Sequence, residues 1–356
     1  MILNASDSAA IAAAARALRD GGLVGLPTET VYGLGADAEN PQAVAQVFAS
    51  KGRPADHPLI VHISDHDGGR SGVDHFASQV PVYAQQLMAA FWPGALTLIL
   101  PRRPERAAAA AGGQASIGLR CPSHPVTQAL LRVLRGTDPG PAAAAVEPVW
   151  GIAAPSANRF GRVSPTTAAH VQDELGDALL VLDGGPCDVG IESTIVDCTR
   201  ASPALLRPGA ISRAQIEAVC GCKLLSKEEL LTQIAGGLEV PKASGTLDSH
   251  YAPNAQVRLM DAPALQAAVD MLGTVMLPGG ADAPASIAIY ARTPLKRVPL
   301  AVALRRMPDD AQATAHQLFA VLRALDATGV KLIWVETPPD MPQWEGVRDR
   351  LHRAAA

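Results

Sequence analysis

Residues 23–63 read LVGLPTETVYGLGADAENPQAVAQVFASKGRPADHPLIVHI. Residues 23–26 are an apolar run of strand length, and Pro27 ends it. Thr28, Glu29 and Thr30 then set two hydroxyls and a carboxylate at the strand's end. Gly33 and Gly35 are read as a tight turn or a close approach to a ligand. A helix follows, with Asn40 as its cap, Pro41 in its first turn, and Val44, Val47 and Phe48 on one face. Gly52 and Pro54 stop it, which leaves Lys51 in the last turn and Arg53 just beyond. Residues 59–63 form a second strand, Leu59, Val61 and Ile63 facing one way and Ile60 and His62 the other. The pattern is strand, loop, helix, basic loop, strand, with polar groups gathered at the loops where an open α/β sheet keeps its ligand.

The rest of the composition narrows the class. A chain of 356 residues has room for two domains. Its formal charge of −4 offers no global basic field for nucleic acid. Five cysteines, with no C-x-x-C pair, argue against a disulfide framework or a structural zinc site. The first twenty residues, capped at Ser6 or Asp7 and ended by Gly21-Gly22, read as an Ala-rich amphipathic helix rather than a signal peptide. No uninterrupted apolar run reaches membrane-spanning length. The expectation is a soluble cytoplasmic protein.

Beyond residue 63, residues 65–76 read as a polar, Gly-rich surface loop and 80–90 as a helix. Strands are expected at 95–100, 116–122, 149–154, 181–185 and 191–197, and a helix at 125–135. Residues 107–114 and 137–148 read as loose loops. Residues 213–239 read as mostly helical and connecting, and 242–253 (KASGTLDSHYAP) as a linker. Strands at 257–260, 275–277, 286–290 and 332–336 alternate with helices at 311–327 and 345–353, which suggests a largely parallel sheet. Three parts follow: residues 1–212, a connecting segment at 213–255, and a smaller α/β (Rossmann-like) domain at 256–356.

Absent motifs matter as well. There is no G-x-x-x-x-G-K-[ST], Gly33-Leu-Gly35 lacks the third glycine of a dinucleotide fingerprint, and H-E-x-x-H and G-x-S-x-G are missing. Any ATP site must then be assembled from separate loops. Lys51, Arg53, Arg120 and Arg207 are its basic candidates. Each, taken singly, reads as an ordinary surface charge.

PTETVYGLG, followed by KGRP and HPLIVHI, closely resembles the YrdC-like domain of threonylcarbamoyl-adenylate synthases. That resemblance implies a twisted mixed sheet with flanking helices and an activity that makes threonylcarbamoyl-adenylate and pyrophosphate from ATP, L-threonine and bicarbonate. Carried over residue by residue, it implies that Thr30, His62, Arg120 and Ser193 receive L-threonine. Lys51 and Arg53 would act on the triphosphate, with His57, Ser116, Ser156, Asn158, Ser164 and Arg207 around the nucleotide. His250-Tyr251-Ala-Pro253 resembles the family's H-Y-A-P, where the linker folds over the active site. The linker departs from the family at SGTLDS, where many relatives have S-P-G-M followed by basic residues. The resemblance covers the first domain almost wholly and the C-terminal part more loosely.

Such a reaction needs positioning and charge neutralisation rather than a covalent nucleophile. Mg²⁺ is expected to travel on ATP, with no protein metal site, and Glu29, Glu192 and Asp197 read as structural hydrogen-bonders. The implied partner is the tRNA threonylcarbamoyl-transfer machinery downstream, with no stable nucleic-acid complex and no membrane. The alternative is an RNA-binding module without turnover, which the acidic balance and the lack of an aromatic-basic stacking pattern oppose. Carbamoyl transfer in metallocentre assembly, a third reading, usually comes with zinc-finger-like cysteines that are absent here.

Overall fold

The computed structural model describes residues 1–137, 147–226, 229–230, 232, 241–245, 250–274, 286–300 and 302–356. The chain divides into two compact units, Met1–Phe160 with Ser164–Thr246, and Gly161–Val163 with Leu247–Ala356.

The first unit is built on a ten-stranded mixed sheet. Its strands are β1 (Ile2–Asn4), β2 (Val24–Leu26), β3 (Gly33–Asp37), β4 (Ile60–His62), β5 (Leu96–Pro101), β6 (Ser116–Arg120), β7 (Ile152–Ala153), β8 (Leu180–Asp183), β9 (Thr194–Asp197) and β10 (Ala204–Arg207). They lie in the order β1-β8-β2-β3-β7-β4-β6-β5-β9-β10. Among the described residues, helices α1 (Ser8–Arg19), α2 (Pro41–Lys51), α3 (Arg70–Phe76), α4 (Val82–Phe91), α5 (Pro125–Arg135), α6 (Ala168–Leu175) and α7 (Arg213–Cys220) accompany it. The mixed sheet with flanking helices is the fold the family resemblance implied.

Local chemistry sets the helix limits. Asp7 caps α1 through Ala9 N at 2.8 Å, and Ala10, Ala14 and Leu18 bury its inner stripe. Asn40 accepts from the amides of Gln42 and Ala43 at 3.0 Å, and Gly52, at φ 64°, closes α2 in the left-handed region. The same pairing of Pro at the start with Gly at the end bounds α5 between Pro125 and Gly136.

Three readings need correction. Gly33 and Gly35 do not form a tight turn; they lie inside β3, antiparallel to β2 with Val24 opposite Gly35. A Cβ on Gly35 would stand 2.6 Å from Leu26 Cδ2 and 2.8 Å from Ile152 Cγ2, so these glycines make room for side chains of neighbouring strands. Residues 65–76 are not a surface loop: a 3-10 turn leads into α3, because Val73 and Phe76 bury themselves in the core. Residues 107–114 are packed turns, with Ala110 and Ala111 fully buried and the Ala110 carbonyl accepting from Leu59 N at 2.7 Å.

The second unit carries β11 (Gln256–Met260), α8 (Ala262–Thr274), β12 (Ile287–Ala291), β13 (Ala303–Arg306), α9 (Ala311–Asp326), β14 (Leu332–Glu336) and α10 (Glu345–Ala355). Its four strands are all parallel, in the order β11-β14-β12-β13. This is the smaller, largely parallel α/β sheet expected from the alternating pattern. Leu318, Phe319, Leu322 and Leu325 form the buried face of α9. The strand read at 275–277, most of the loop at 137–148, much of the helical reading at 213–239 and residues 246–249 of the linker lie outside the described residues. All five cysteines are free thiols. Among the described residues no helix is long and apolar enough to cross a membrane.

Candidate active site

The helix α2 delivers the first two basic groups. Lys51 is its last residue, and its ammonium donates to the carbonyl of Ser156 at 2.6 Å and to that of Asn158. The loop after β7 is thus pinned to the end of α2, and the Phe160 amide, donating to the Lys51 carbonyl at 2.8 Å, completes the clasp. Burial, then the charge of Arg53, pushes the Lys51 ammonium down from 10.5 to about 7, while Glu174 and Glu192 pull the other way. The left-handed turn at Gly52 swings Arg53 away from the helix axis. Its guanidinium donates to the Pro58 carbonyl at 3.0 Å and to Ser244 Oγ at 3.2 Å. His57 packs edge-on to Phe160, and burial followed by the Arg53 charge holds its pKa below the ordinary value.

A second group forms where β4, β6 and β5 lie side by side. His62 and Arg120 are Cα partners across β4 and β6, and Thr97 faces Arg120 from β5. Arg120 donates to Thr30 Oγ1 at 2.8 Å and to the Gly94 carbonyl at 3.2 Å, and pairs with Glu29 at 2.7 Å. Thr30 shares a 2.8 Å hydrogen bond with Thr28. Burial, reinforced by the Arg120 charge, drops His62 to about 3, so its ring is neutral at physiological pH.

A chain of contacts runs on across the sheet. Ser193 shares a 2.8 Å hydrogen bond with Thr97. Arg207, at the end of β10, donates to the Ser193 carbonyl at 2.8 Å, to Ser193 Oγ at 3.1 Å and to the Ser244 carbonyl at 2.8 Å. Ser244 Oγ returns to Pro58 O at 2.8 Å, beside Arg53. Ser164 donates to the Glu192 carboxylate. The structure therefore bonds Thr30 to Arg120, bonds Ser193, Arg207 and Arg53 together with Thr97 and Ser244, which were not singled out, and sets the two groups side by side where Thr97 pairs with Arg120. Ser244 stands in the linker's KASG; a hydroxyl between glycine and alanine in a turn-rich stretch was the available signal.

One cleft in this unit is lined by Pro58, Ile60, Thr97, Ser116, Gly118 and Lys242–Ser244. Another has Glu29, Asp183 and Asp188 in its wall, carboxylates that repel a triphosphate. Lys242 and Ser244 show that the start of the linker lies on this unit, with Lys242 paired to Asp56 at 2.6 Å.

His250 and Tyr251 belong to the second unit. Tyr251, 1% exposed, packs against Phe319 with Arg350 over its ring, and His250 N donates to Arg353 O at 3.1 Å. The ring is packed in that unit's core rather than exposed on a tether.

The first unit is an α/β protein whose mixed sheet brings buried basic and hydroxyl side chains together on neighbouring strands and loops. Family models match in two pieces: one for Sua5, YciO and YrdC proteins, described as "Telomere recombination", over residues 16–209, and one described as "Threonylcarbamoyl-AMP synthase, C-terminal domain" over residues 211–356. The chain belongs to the Sua5–YciO–YrdC family, in its two-part Sua5 form. A threonylcarbamoyl-AMP synthase of Pyrococcus abyssi is 33% identical over 96% of this chain and 93% of its own length. One of Bacillus subtilis is 42% identical over 70% of this chain and 66% of the relative. The crystal structure of P. abyssi Sua5 complexed with L-threonine superposes with a TM-score of 0.80 at 32% identity, covering 97% of this chain and 94% of that one.

Proposed function

We propose that this chain is an L-threonylcarbamoyladenylate synthase, a nucleotidyltransferase that makes threonylcarbamoyl-AMP and pyrophosphate from ATP, L-threonine and bicarbonate. The observation that carries the reading is the arrangement of two hydrogen-bonded groups, Thr30 with Arg120 and Thr97 with Ser193, Arg207, Ser244 and Arg53, set side by side by the strand pairing of Arg120 with Thr97. It lies on a chain whose likeness to an L-threonine complex extends over almost its whole length.

In this reading Arg120 takes the threonine carboxylate as a charge-assisted pair, with Thr30, His62 and Ser193 closing the pocket. The amine nitrogen bonds to the bicarbonate carbon, a C–O bond breaks and water leaves, giving a carbamate whose oxygen attacks the α-phosphorus of ATP. The bond to the β-phosphate breaks and pyrophosphate leaves. Lys51 and Arg53 neutralise charge on the transferring and leaving groups, while His57, Ser116, Ser156, Asn158, Ser164 and Arg207 frame the nucleotide. Among the described residues no three His, Cys, Asp or Glu side chains gather as a metal site. Mg²⁺ is proposed to enter with ATP as part of the substrate, where it would supply charge neutralisation on the phosphates. The product is proposed to pass, in the cytoplasm, to the machinery that makes threonylcarbamoyladenosine in tRNA.

Leaving out ATP, threonine and bicarbonate in turn tests the reading. Pyrophosphate release should require all three. Release without threonine, or salt-sensitive RNA binding with no turnover, would refute it.

A further inference from the structure

Glu29 has no role in that scheme, yet it is a buried carboxylate paired with Arg120. Its side chain is 8% exposed and stands 2.7 Å from Arg120 Nη2. Neither of its oxygens accepts a hydrogen bond of good alignment among the described residues. Burying a carboxylate is costly unless a nearby charge compensates, and the compensating charge here is Arg120. The turn that presents Glu29 is independently braced. Thr28 Oγ1 donates to Val31 O at 2.6 Å and accepts from Val31 N at 3.2 Å, and the Val189 amide donates to the Glu29 carbonyl at 2.7 Å.

The guanidinium of Arg120 is thereby held from three directions. Its Nε meets the Gly94 carbonyl, its Nη1 meets Thr30, and its Nη2 meets Glu29. An arginine that receives a carboxylate does so through a planar fork, and rotation of that plane forfeits the paired contact. We infer that Glu29 is a positioning residue for amino-acid binding: it fixes the plane of Arg120 and offsets the buried charge of that residue. The inference rests on the reading of L-threonine as substrate. It separates Glu29 from a merely structural ion pair, because a structural pair would disturb both substrates alike.

The test uses the full-length protein with Glu29→Gln, Glu29→Asp, Arg120→Lys and the Glu29→Gln/Arg120→Lys double variant. KM for threonine and for ATP, and thermal unfolding, are measured for each. Glu29→Gln should raise KM for threonine about ten- to a hundredfold while KM for ATP stays within about twofold. Glu29→Asp, which keeps the charge, should show a smaller rise, about three- to tenfold. In the Arg120→Lys background, adding Glu29→Gln should change KM for threonine by less than about twofold, since both residues act through one contact. Equal shifts in both KM values, or additive effects in the double variant, would overturn the inference. If Glu29→Gln does not fold, Glu29→Asp decides, and an unchanged threonine KM there overturns it. A wild-type protein that releases no pyrophosphate with threonine would overturn the underlying reading, and this inference with it.

Discussion

Lys51 shows how much a single residue's surroundings decide. Its ammonium is buried against two backbone carbonyls and beside a guanidinium, which brings its pKa to about 7. Triphosphate arriving near it would favour the charged form, so ATP binding at about pH 8 should take up a proton. Calorimetry in buffers of different ionisation heat reads this directly, and Lys51→Met should abolish the uptake. Absence of uptake in the wild type would place the triphosphate elsewhere. The stability consequence has a definite sign. Between about 7 and 10.5 the unfolded chain holds a proton that the folded chain has lost, so this residue's contribution to stability rises with pH across that window. Arg53→Ala removes a charge-assisted contact, and kcat/KM for ATP should fall by the equivalent of about 1.5–3 kcal/mol, with the circular dichroism of the folded chain retained. An unchanged kcat/KM for ATP would remove Arg53 from the site. The candidacy of these two residues was legible because a capped helix ending in K-x-R-P fixes where they stand. The role of Glu29 was not, since a carboxylate between two threonines carries no sign of Arg120, the distant residue that it meets.

At the scale of elements, punctuation was the reliable signal and composition the misleading one. The helices at 41–51 and 125–135 were readable to the residue because proline and glycine bracket them. β3 was missed because its glycines look like a turn, although they exist to admit Leu26 and Ile152. Gly35→Ala should therefore cost about 1–3 kcal/mol in denaturant unfolding through overpacking, and a neutral result would mean the strands shift freely. The helix at 70–76 was hidden by the glycines before it, and the turns at 107–113 by alanines whose small side chains pack where a loop was expected. Local sequence does not reveal such burial, because the partner surface comes from distant strands. The start of the linker was expected to lie across the first domain, because a polar, turn-rich stretch carrying an aromatic is a poor free tether. Lys242 and Ser244 contact Asp56, Pro58 and Arg207, so trypsin cleavage after Lys242 should slow when ATP and threonine are both present. Equal rates with and without them would show that this segment does not respond to ligand.

For the whole molecule, two α/β units share one chain, and the expected chemistry is concentrated in the first. Strands β4, β6, β5, β9 and β10 carry or flank His62, Ser116, Arg120, Ser193 and Arg207 side by side, although these residues span much of the first unit's sequence. A site assembled this way leaves no short motif, which is why the absence of a phosphate-binding loop in the sequence did not exclude ATP. The central claim is that these separated groups act together to join bicarbonate, threonine and an adenylyl group. The most direct test supplies carbon-13-labelled bicarbonate with ATP and threonine and follows the product by mass spectrometry. A threonylcarbamoyl-adenylate carrying one labelled carbon, formed with equimolar pyrophosphate and lost in Arg120→Ala, is the predicted result; adenylate without the label, or label incorporation unaffected by Arg120→Ala, would contradict the account.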